Sequence, residues 1–313
     1  MTTILLGPQR FTTTVRPTLR SLGVEGPVAM VNAGWEEREA DDGELNDAVD
    51  GRGVNVRLYQ RAVELLGADR ALRAAVREHR ESRAELRAFY GIRLQSAWEA
   101  VFSVHHRTSK HHVLEGALRS AMQALRDVDD WYSYEVARLL EAAAATPAVQ
   151  DSEALARHRA EVASVLADSA VVVVAGGHVG ILMETLRLLD VAIPHATPVI
   201  AWSAGAMAVC DPVVLFHDFA PHGVTAPEVH DRGLARVRGV IPLPHARRRL
   251  ALDDRERMAV FAQRFPAHAL VPLDEGTIVR FASGTDSPDG PTPLPVGARH
   301  LSHDGTIVNR EAQ

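Results

Sequence analysis

Pro198-Val199-Ile200-Ala201-Trp202-Ser203-Ala204-Gly205-Ala206 is an apolar run of strand length that ends on a serine set among small residues. A strand that reverses at once into a helix needs such smallness around the turn, as in a nucleophile elbow. Ala201, Ala204, Gly205 and Ala206 supply it. The turn would hold the Ser203 hydroxyl above the end of a sheet, with the positive end of a helix behind it. The Ala204 N–H would then form one half of an oxyanion hole. The simpler reading of Ser203 is an ordinary helix N-cap, whose hydroxyl is used up on the backbone.

Upstream, Val171-Val172-Val173-Val174-Ala175 suits a parallel strand buried on both faces. Gly176-Gly177 ends it, and paired glycines let backbone N–H groups face a ligand. These two residues are candidates for the other half of the oxyanion hole, although a tight turn explains them equally well. His178 follows as a candidate substrate contact or alternative base. Downstream, Ile241-Pro242-Leu243-Pro244-His245 places a histidine after a strand, before Arg247-Arg248-Arg249. A serine hydroxyl needs a base of near-neutral pKa, and His245 is the candidate. Arg249 is a candidate clamp for a substrate carboxylate; a solvated helix start is the plainer reading. Leu273-Asp274-Glu275-Gly276-Thr277 offers the carboxylate that would orient the imidazole. Glu275 is the first choice, Asp274 the second and Asp218 the third.

Strands and helices alternate on both sides of these motifs. Ile4-Leu5-Leu6, Val28–Val31, Val213–Phe216, Val237–Ile241 and Thr277–Phe281 read as strands. Segments near 13–22, 152–168, 179–190 and 253–264 read as helices. The pattern predicts an α/β fold, with a mostly parallel sheet flanked by helices. Residues 57–147 differ: Leu58, Ala62, Leu65 and Leu66 recur at helical spacing, as do Leu114, Leu118, Met122 and Leu125. This zone predicts a helical insertion of two to four helices, leaving 1–56 and 148–313 as one α/β catalytic domain. Its apolar stripes must be buried on something, either by covering the site as a lid or by holding a homo-oligomer together. The acidic run Glu36–Asp42 reads as a solvated loop, and Ser283–Pro295 as a Gly/Pro-rich loop.

The four motifs together resemble the serine branch of the class I glutamine amidotransferase-like fold, the peptidase E/cyanophycinase family. There a Gly-Gly loop follows one strand and a Ser-Ala-Gly-Ala turn the next. A histidine then precedes an Arg-bearing helix, and an acidic segment opens a late strand. The likeness covers residues 170–282 well and 1–35 loosely. It implies a flavodoxin-like layering and a Ser203-His245-Glu275 triad, in chain order Ser, His, acid. It also implies a peptide or other amide substrate cleaved through an acyl-enzyme, without a cofactor. The substrate contacts differ: Leu243-Pro244 replaces Asp-Gln before the histidine, and His178-Val179 replaces Asp-Gln after the glycines. Cyanophycin is therefore not the expected substrate. An acyl-transfer or cyclising enzyme using the same serine, and a silent binding protein on this fold, are the alternatives.

Bulk composition limits the remaining choices. A net charge of −6 over 313 residues gives no global attraction for nucleic acid or an anionic membrane. Cys210 is the only cysteine, so no disulfide can form within the chain. It reads as a small buried apolar group. The serine at the elbow also disfavours the cysteine chemistry of the amidotransferases. The N-terminal Met1–Phe11 reads as a first strand rather than a signal peptide, no apolar run reaches membrane-spanning length, and the expected compartment is the cytoplasm. Lys110 is the only lysine. It lies within a cluster of His105, His106, His111 and His112, residue types that bind Zn²⁺ or Ni²⁺. Adjacent histidines diverge on a continuous helix, however, so no metal site is assigned.

Overall fold

The strands of the two larger sheets, in chain order, are β1 (Thr3–Leu6), β2 (Val28–Val31), β3 (Gly53–Asn55), β4 (Val171–Val174) and β5 (Val199–Trp202). They continue as β6 (Val240–Pro244), β7 (Ala269–Leu273), β8 (Ile278–Phe281), β9 (Arg299–Leu301) and β10 (Ile307–Asn309). The computed structural model describes residues 2–219, 225–281 and 290–312. The main sheet runs β8-β1-β5-β4-β2-β3, parallel throughout except where β8 pairs antiparallel to β1. The expected mostly parallel α/β sheet is therefore present. A second sheet runs β6-β7-β9-β10.

Every residue of β1, β2, β4 and β5 is buried. Strand pleating sends alternate side chains to opposite faces. Val172 and Val174 join Leu58, Leu65, Leu155 and Leu182 on one face. Val171 and Val173 join Val15, Leu19 and Leu45 on the other. The helices that matter below are α1 (Leu58–Ala68), α2 (Arg70–His105), α3 (His111–Ala144) and α4 (Glu153–Ala167), followed by α5 (Val179–Leu188), α6 (Ala204–Val209) and α7 (Arg255–Arg264).

The helical zone divides by what it covers. α1 packs on the main sheet, whereas α2 and α3 form a long antiparallel hairpin. Leu94, Trp98 and Val101 from α2 share one apolar cluster with Leu125 from α3, Ile241 from β6 and Phe261 from α7. At its centre the Arg264 side chain, fully buried, meets Asp129, with its Nε 2.6 Å from Oδ2. Tyr90 donates to Asp129 Oδ1 at 2.8 Å and accepts from the Val229 N–H at 3.0 Å. Burial works against the Arg264 charge, but Asp129 and Tyr90 outweigh it and raise its pKa. Among the described residues, no helix is long and apolar enough to cross a membrane.

Two expectations change. The acidic run is not simply a solvated loop: Ala33–Ala40 forms a 3₁₀ segment, and Glu39 is buried within it. Its carboxylate accepts the Tyr59 and Gln60 N–H groups at 3.0 and 2.9 Å, serving the open N-terminus of α1. The strand expected at Val237–Ile241 breaks at Gly239, whose φ is 69°. Val237–Arg238 pairs with Cys210–Asp211, while β6 joins β7 in the second sheet. Most of the loop expected over Ser283–Pro295 lies outside the described residues.

Candidate active site

Three turns converge at the C-terminal end of the main sheet, where α/β folds place their ligands. β5 ends at Trp202, and Ser203 follows with φ 51° and ψ −122° before α6 begins. That backbone is rare for a residue with a side chain. Close packing requires the small neighbours: a Cβ at Gly205 would lie 2.1 Å from the Val174 carbonyl oxygen, and one at Gly176 2.9 Å from Ser203 Cβ. The N-cap alternative for Ser203 fails, because its side chain makes no capping hydrogen bond. Its Oγ instead lies 3.4 Å from His245 Nε2.

His245 follows β6 in a left-handed conformation, φ 57° and ψ 37°. Its backbone N–H donates to the Leu273 carbonyl at 3.0 Å, tying it to the end of β7. Burial lowers the imidazole pKa, and Arg249 and Arg248 lower it further, while Asp274 and Glu275 act in the opposite sense. The ring is thereby biased toward its neutral form.

The carboxylates are placed differently. Glu275 is exposed and, among the described contacts, makes no hydrogen bond to His245. Asp274 is half-buried; its Oδ1 accepts the Arg247 N–H at 3.1 Å. Both influence the imidazole through charge. Asp218 is taken up elsewhere, accepting from Arg257 Nη2 at 2.5 Å and the Ala251 N–H at 2.8 Å.

Backbone donors surround the serine. The Ala175 and His178 N–H groups donate to Val31 and Gly34 carbonyls. Those of Gly176 and Gly177 donate to no described backbone group, and Ala204 opens a helix whose first N–H groups lack intrahelical acceptors. His178 acts as the N-cap of α5: its Nδ1 accepts the Ile181 N–H at 3.1 Å. Arg249 lines the same cavity as Ser203 and has no ion-pair partner among the described residues; burial and Arg248 lower its pKa.

The cavity measures about 1140 Å³ and brings in residues the sequence reading missed. Arg10 and Arg16 enter from the segment after β1, and Arg87 from α2, where it pairs with Glu228 at 2.7 Å. Arg10 was findable, since it lies just past a strand's C-terminal end. Arg87 lies in a helix with no local motif, and only tertiary packing brings it to the site.

The α/β fold brings a serine and a histidine, 3.4 Å apart, together at strand ends, an arrangement that serine hydrolases use. The sequence model of peptidase family S51 matches residues 122–286, more than half of the chain. The chain belongs to that family and is a serine peptidase of the peptidase E type. A search of curated proteins returns no match.

Proposed function

We propose that the protein cleaves a peptide or related amide bond with Ser203 as nucleophile and His245 as general base. One observation carries the reading: the Ser203 hydroxyl is free of capping and lies 3.4 Å from His245 Nε2. That separation is slightly longer than a working contact, as is common without substrate. The Ser203 proton passes to Nε2 as Oγ attacks the carbonyl carbon. The resulting oxyanion is held by N–H groups of Gly176, Gly177 and Ala204. The leaving amine takes the proton from His245, and water then releases the acyl group by the same route. Glu275 is assigned to orient the imidazole, with Asp274 as the alternative. Arg249, which lines the same cavity as Ser203 and has no ion-pair partner among the described residues, suits a substrate bearing a carboxylate near the scissile bond.

The test is labelling of purified protein with a fluorophosphonate, with adduct mapping by mass spectrometry. An adduct on Ser203 that disappears in His245→Ala is expected. Ser203→Ala should fold normally and lose at least about 10⁴-fold in turnover. A folded wild type that neither reacts with the probe nor cleaves short peptides would reject the reading. Comparing Glu275→Gln with Asp274→Asn identifies the orienting carboxylate by the larger loss in kcat.

A further inference from the structure

His105 closes α2, and Glu256 lies in the first turn of α7. The two helix ends meet. His105 Nδ1 lies 2.8 Å from Glu256 Oε1, and His106 Nε2 lies 3.1 Å from Glu256 Oε2. Neighbouring residues on a continuous helix point about 100° apart. Here the helix stops at His105, and His106 is its C-cap. The two rings also use different nitrogens, the near one of His105 and the far one of His106, which brings both donors to one point. Their planes are inclined by 59°.

We propose that His105, His106 and Glu256 form a zinc(II) site clasping the hairpin tip to α7. Two imidazole nitrogens and a carboxylate oxygen are a donor set suited to zinc, with water completing four-coordination. The three ligand atoms lie within 4.8 Å of one another. A tetrahedral ion with bonds near 2.1 Å needs its donors roughly 3.4 Å apart, so small side-chain shifts suffice. On binding, the ring protons now directed at Glu256 move to His105 Nε2 and His106 Nδ1, and the freed lone pairs take the metal.

One neighbouring helix pole suits a cation. The C-terminal end of α2 carries the negative pole of a 36-residue helix. The two arginines flanking Glu256 are drawn to other carboxylates: Arg255 to Asp304 at 3.5 Å, and Arg257 to Asp218 at 2.5 Å. Glu256 is thus left to the histidines. His111 is not part of the group; it pairs with Glu115 along α3.

The experiment titrates Zn²⁺ into the chelator-stripped full chain by calorimetry, with Co²⁺ as a spectroscopic probe of coordination. One tight equivalent per chain is expected, with a cobalt spectrum of low coordination number. His105→Ala and Glu256→Gln should each weaken zinc binding by more than about 100-fold, beyond the loss typical of indirect ligand partners. The double variant His111→Ala/His112→Ala should bind zinc as wild type does. Zinc should also slow trypsin cleavage at Arg107 and Lys110 in wild type but not in Glu256→Gln. The isosteric Glu256→Gln keeps the test valid if His105→Ala folds poorly. No stoichiometric binding, or binding indifferent to Glu256→Gln, overturns the proposal and leaves only imidazole–carboxylate hydrogen bonds.

Discussion

His245 is held by its backbone in a left-handed turn and by its ring beside Ser203. Its protonation state therefore governs the pair. Burial, then Arg249 and Arg248, lower its pKa beneath the ordinary value of about 6.5. A base works when neutral, so kcat/KM should stay level through neutral pH. It should fall only as pH drops through that lowered pKa. Arg249→Met removes one of the two cations and should move this acid limb upward in pH, in addition to raising KM for a carboxylate-bearing substrate. A pH–rate profile of both proteins checks the sign. Ser203 and His245 could be singled out as candidates because each lies in a short motif at a strand end, and the structure brings the two side chains to 3.4 Å. Glu275 was named by the same logic, yet it is exposed and makes no described bond to the imidazole. Which carboxylate serves depends on the path of the chain after β7, which no local pattern encodes.

The turn from β5 to α6 depends on contacts that lie across the sheet. A Cβ at Gly205 would press on the Val174 carbonyl at 2.1 Å, and backbone cannot yield as a flexible side chain can. Gly205→Ala should lower stability by about 1–3 kcal/mol and abolish fluorophosphonate labelling, because Ser203 moves with the turn. Thermal unfolding and probe labelling measure the two effects separately. At this scale the apolar runs β1, β2, β4 and β5 were readable, since burial on both faces leaves an unbroken hydrophobic string. β3, β9 and β10 were not, being three residues each, with little buried surface. β6 and β7 carry Pro242, Pro244 and Pro272, which argue against strands, although β6 is an edge strand where missing N–H groups do little harm.

Across the whole molecule, the hairpin and the α/β body share one apolar cluster and the buried Arg264–Asp129 pair. Removing one partner leaves an uncompensated charge in the interior. Arg264→Ala should cost about 3–5 kcal/mol. Far-UV ellipticity and hydrogen exchange in α2 should lose that stability together, since hairpin and body would open as a unit. Independent melting of α2 would refute this coupling. The sequence marked residues 57–147 as helical but could not show that α1 belongs to the sheet's own core. Helical periodicity states which face is apolar and says nothing of what will cover it.

Cys210 gives the protein an internal clock. It directly follows α6, the helix that begins at the serine turn, and it is fully buried with its thiol pKa pushed up by that burial. As the only thiol in the chain, it can react with a disulfide reagent only when this region opens. The rate of that single colour change would time the opening of the elbow, without any introduced label. A ligand seated against Ser203 should slow it in proportion to occupancy, which makes it a screen for substrates that does not depend on turnover.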